Sequence, residues 1–131
     1  QSDRFEPARH RSVRIAFEEL RHLRVLLERE GIRLSILNGD LEWETDLSAA
    51  HHKLVYLEER MRAADDLSDF IKIWSRHDAH LHQTLLSACG SSLLKDQFRV
   101  VYDKFRLHAV VELRTYGFRG KTTTSEHNKI L

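Results

Sequence analysis

Residues 67–90 read LSDFIKIWSRHDAHLHQTLLSACG, and this stretch decides the fold. Leu67, Phe70, Ile71, Trp74, Leu81, Leu85 and Ala88 recur at the three- and four-residue spacing of one helical face, and Cys89-Gly90 supplies a glycine C-cap. The same period extends in both directions. Val13, Ala16, Phe17, Leu20, Leu23 and Leu27 predict a long first helix to about Glu30, with Arg14, Glu18, Arg21 and Glu28 on its other sides. Gly31 punctuates it, residues 32–37 read as a short second helix, and Asn38-Gly39-Asp40 forms a turn. A third helix runs from about Leu41 to Arg62 with Leu47, Ala50, Leu54, Leu57 and Met61 inward, antiparallel to its neighbours. The stretch at 67–90 is then the fourth. Ser91 and Ser92 cap a fifth, whose apolar face is Leu94, Phe98, Val101 and Phe105. After Tyr116 the composition is that of a loop, and Thr123-x-x-Glu126 is a capping box that starts a helix just before His127. Leu131 cuts that helix short, which predicts that the natural protein continues.

Composition narrows the function classes. The chain has 131 residues, 41% apolar and 31% charged, with one proline and five glycines, which suits one helical domain spanning 1–131. Twenty-one basic against twenty acidic residues leave a net charge of +1, so there is no global field to hold a phosphate backbone. Any DNA contact belongs to a part of the protein outside this sequence. A single cysteine, Cys89, forms no internal disulfide, and no apolar run approaches the roughly 20 residues of a membrane span. A reducing cytoplasm is the expected compartment.

Nine histidines are the unusual feature. Asp78 and His82 interrupt the apolar stripe of the fourth helix, so a carboxylate and an imidazole one turn apart face the core together. They are either a helical pair satisfied by internal hydrogen bonds, or an oxygen and a nitrogen ligand of a metal ion. Further ligands then come from other helices, and His127 is the best candidate. His10, His22 and His80 sit among polar neighbours and read as surface. His51 and His52 are adjacent on the third helix with Leu54 and Leu57 nearby, so one of them can point inward, either packing in the core or lining a pocket, and His52 is the candidate for the pocket.

Two enzyme patterns are incomplete. Glu19-x-x-His22 is half of a di-iron signature, which needs two such pairs and two further glutamates. His77-Asp78 resembles the dyad of HD-type metal phosphohydrolases, with His51 or His52 as an upstream ligand. Here, however, His77 lies about 100° around the helix from Asp78, and Ala79-His80 replaces the usual Gly-Lys.

The segment from Asp78 to Ser91, DAHLHQTLLSACGS, resembles the Asp-x-x-Phe-His-x-x-Leu-x-x-Ala-x-Gly-Asn run of FCD domains. These are the effector-binding and dimerisation domains of the FadR subfamily of GntR-type bacterial transcription regulators. Arg24 to Glu28 resembles the family's Arg-x-x-Leu-Glu. Asn38 to Glu44 with Ala49 to Leu54 resembles one branch of it, and Ser125 to Leu131 its Glu-His-x-x-Ile-Leu segment. Leu81 departs from the usual Phe, and Leu107-His108 from an aromatic-Arg pair.

The resemblance implies an all-α antiparallel bundle of about six helices, its last helix missing from this chain. It implies a divalent metal, zinc or alternatively nickel or manganese, held by Asp78, His82 and His127, with a fourth histidine on the missing helix. It implies a small carboxylate or sugar-acid effector, for which Arg24, Arg106 and His52 are the binding candidates. It also implies a homodimer, DNA contacted through an absent N-terminal winged helix-turn-helix, no membrane and no catalysis. The rival is a metal-dependent hydrolase of HD-like type built on the same Asp/His cluster.

Overall fold

The computed structural model describes residues 7–116, with side chains for all of them except His10 and 109–116. Four helices follow one another: α1 (Ala8–Asn38), α2 (Leu41–Arg62), α3 (Ser68–Leu86) and α4 (Ser92–Tyr116). The described chain is all-α, as its periodicity predicts. It contains four helices where the resemblance implies a bundle of about six. The capping box and helix expected around His127 lie outside the described residues.

One expectation needs correcting. The first two predicted helices are a single helix, and α1 passes through Gly31 without a break. The glycine is there for packing. A Cβ at Gly31 would stand 2.3 Å from Cγ and 2.6 Å from Cδ2 of Leu86, and 3.0 Å from Cδ2 of Leu94, so a hydrogen at this position lets α1 lie close against α3 and α4. The turn at Asn38-Gly39-Asp40 does end the helix. Gly39 N–H donates to the Ser35 carbonyl at 2.7 Å, and the Asp40 side chain caps α2 by accepting from Trp43 N–H at 2.9 Å. Glu42 and Glu44 in the first turn of α2, with Arg60 and Arg62 in its last, match the helix dipole.

Cross-contacts set the topology. Trp43 Nε1 donates to the Thr84 carbonyl at 2.9 Å and Trp74 Nε1 to Glu58 Oε2 at 3.0 Å, so α2 and α3 run antiparallel. Phe17 stacks on Phe105, their centroids 5.4 Å apart, while Gly31 approaches Leu94, which makes α1 and α4 antiparallel. Glu28 meets His82 and Gly31 meets Leu86, so α1 and α3 run in the same direction. α3 therefore lies at the centre. It joins a cluster formed with α2 (Ala50, Leu54, Met61, Ile71, Trp74, Leu81) to one formed with α1 and α4 (Ala79, Leu85, Leu86, Phe98, Tyr102). Cys89 is buried next to Gly90, whose φ of 80° suits glycine at the bend into α4.

Candidate functional site

Burying Asp78 and His82 on the same helix demands partners. Both face the α1 and α4 side of α3, where they join a chain of five polar side chains. Arg24 Nη1 donates to Glu28 Oε1 at 2.9 Å. Glu28 Oε2 accepts from His82 Nδ1, so that nitrogen carries a proton. His82 Nε2 faces Asp78 Oδ1 at 3.5 Å, and the Tyr102 hydroxyl donates to Asp78 Oδ2. Glu28, Asp78, His82 and Tyr102 are all buried.

Elements on three helices hold the chain in place. The Tyr102 ring lies 5.1 Å from the His82 ring and 5.4 Å from Phe98. The Arg24 guanidinium sits 4.6 Å above the Phe105 ring, and Phe105 is in turn stacked on Phe17. Burial pulls the His82 imidazole toward neutrality, but the Glu28 and Asp78 carboxylates outweigh it and push its pKa up to about 10. Burial, with Asp78 adding to it, raises the Tyr102 phenol well above its ordinary value, so its hydroxyl remains a donor.

The arrangement fits a metal ion in part. With Nδ1 bound to Glu28, His82 presents Nε2 toward Asp78, the disposition of a metal-ligating histidine oriented by a carboxylate behind it. The 3.5 Å between Asp78 Oδ1 and His82 Nε2 is close to the edge that two ligands at about 2.1 Å subtend around a tetrahedral ion. Two ligands do not hold an ion, and among the described residues no group of three or more His, Cys, Asp or Glu side chains is disposed to do so. His127 lies outside the described residues. One further feature bears on ligand binding: Arg24 Nε is buried without a hydrogen-bond partner, leaving a cationic donor inside the site.

The FCD domain family matches residues 19–131 of the sequence. The chain belongs to this family. A relative from Paraburkholderia xenovorans (strain LB400), named an uncharacterized HTH-type transcriptional regulator BphR, is 32% identical over 91 residues, 67% of this chain. The chain spans 36% of that relative's length. No solved structure matches. The resemblance carried by the segment from Asp78 to Ser91 is thus met at the level of family and fold.

Within this FCD domain, Asp78, His82 and Arg24 come together, while Arg106 and His52 do not join them. Arg106 lies near the surface of α4, with Asp103 Oδ1 at 3.7 Å as its carboxylate neighbour. His52 is exposed and lines a separate groove of α2 and α3 with Lys53, Tyr56, Leu57, Ile73 and His77. Of the adjacent pair, His51 is the one turned inward, with Nε2 buried and unpartnered. Sequence reasoning missed Glu28 and Tyr102. A carboxylate four residues from Arg24 at the edge of the apolar face, and a tyrosine four residues after Phe98 on the stripe of α4, were the available signals. No helix among the described residues is long and apolar enough to cross a membrane.

Proposed function

We propose that this FCD domain, spanning 1–131, is the effector-sensing and dimerising part of a cytoplasmic GntR-type transcriptional regulator. Asp78, His82 and His127 would hold a divalent metal, a small carboxylate or sugar acid binds beside them, and the bound state alters DNA contact by a separate winged-helix domain. The observation that carries this reading is a buried Asp/His pair linked through Glu28 to Arg24, whose Nε is buried without a hydrogen-bond partner, in a family member. When bound, a divalent ion, zinc or alternatively nickel or manganese, supplies positive charge and open positions for anionic oxygens.

The chain's own residues do the rest. Glu28 keeps the proton on Nδ1 and so aims Nε2. Tyr102 holds one Asp78 oxygen and leaves the other facing His82. Arg24 offers Nε to an effector carboxylate, where desolvation strengthens a charge-assisted bond. None of these groups is needed for turnover, and effector binding acts by shifting a population of conformers.

The test uses the full-length protein bound to its operator, titrated with a panel of di- and hydroxycarboxylates while DNA release is followed. Release by one class, lost in Arg24→Gln and His82→Gln, is the expected result. Hydrolysis of a phosphoester by the purified domain, abolished by Asp78→Asn, would instead establish the HD-like hydrolase. In equilibrium dialysis against zinc, about one ion per chain is expected, with retention lost in Asp78→Ala and His82→Ala.

A further inference from the structure

A groove of about 430 Å³ opens between α2 and α3, lined by His52, Lys53, Tyr56, Leu57, Ile73 and His77. Its volume is that of a small-molecule site. His77 lies about 100° around α3 from Asp78, so the groove faces away from the polar chain just described. Its lining combines two chemistries. Leu57, Ile73 and the ring of Tyr56 are apolar, and His52, Lys53 and His77 supply nitrogen donors.

The charge is one-sided: no carboxylate lines the groove. Arg60 lies 4.3 Å above the Tyr56 ring and donates to its hydroxyl, bringing a further cation to this side of α2. The lining offers a cationic ligand no carboxylate to neutralise it. An apolar body with a single anionic group matches both kinds of lining residue.

We propose that this groove is a second ligand site of the chain, for an amphipathic organic monoanion: a carboxylate on an aromatic or aliphatic body, its charge on Lys53 and His77 and its apolar part on Leu57, Ile73 and Tyr56. The proposal is independent of the effector reading at Asp78 and His82.

The test is an amide-resolved NMR titration of the chain with 2-naphthoate, using 2-naphthamide as the uncharged isostere. Saturable shifts at Lys53, Tyr56 and His77 are expected. Because Lys53 and His77 are not core residues, Lys53→Gln and His77→Gln should fold normally and weaken binding, Lys53→Gln by about tenfold for one lost charge-assisted contact. His82→Gln should leave the affinity unchanged, which separates this site from the other. Equal binding of the amide, unchanged affinity in both groove variants, or shifts confined to the surroundings of Arg24 and His82 would overturn it.

Discussion

Both nitrogens of His82 meet carboxylates, Glu28 at Nδ1 and Asp78 at Nε2, and this has a pH signature in the metal-free protein. Its folded pKa, up to about 10, lies above the ordinary 6.5, so the proton stabilises the fold. That contribution is fully present below about pH 6.5 and is lost as pH rises toward about 10. Denaturant titrations across this window should show stability falling with pH in the parent and a flatter profile in His82→Gln. Tyr102→Phe removes the hydroxyl that Asp78 Oδ2 accepts from and leaves a buried carboxylate oxygen short of a donor, at a cost of about 1–3 kcal/mol read as a lower denaturation midpoint. Asp78 and His82 were legible because polar groups on an apolar stripe violate the period. Glu28 was not, because next to Arg24 it looks like half of a solvated surface pair, and only the approach of α3 shows that the pair is capped by His82.

Gly31 is the clearest case at the scale of helices. As a residue in a helix interior it costs about 1 kcal/mol relative to alanine, so propensity alone argues for Gly31→Ala. The close approach to Leu86, itself buried, argues against it, since overpacking of this kind costs about 1–3 kcal/mol. Gly31→Ala is therefore expected to lower the melting temperature. Combining it with Leu86→Ala should be less harmful than the sum of the two single changes, a positive coupling that a double-mutant cycle measures. The helices α2, α3 and α4 were legible from period and caps. The continuity of α1 was not, because a glycine that ends a helix and a glycine that lets two helices touch look the same in one dimension. Only the neighbouring helix distinguishes them.

For the molecule as a whole, α3 belongs to both apolar clusters, so α2 on one side and the α1/α4 pair on the other should unfold together. Trp43 and Trp74 both bridge α2 and α3, which makes tryptophan fluorescence a reporter of that layer, while far-ultraviolet dichroism reports all helices. Coincident transitions are expected, and an earlier fluorescence transition would mean that α2 peels away on its own. Leu81, fully buried in α3, should lower that common transition by about 2–5 kcal/mol when replaced by alanine. The close contact of Gly31 with Leu86 also has a mechanical side. From Gly31 to Ala8 are 23 residues of unbroken helix, about 35 Å at 1.5 Å per residue. If α1 pivots on that contact, one degree of tilt carries its far end by about 0.6 Å, so a sub-ångström adjustment of Glu28 against His82 is magnified along a rigid arm.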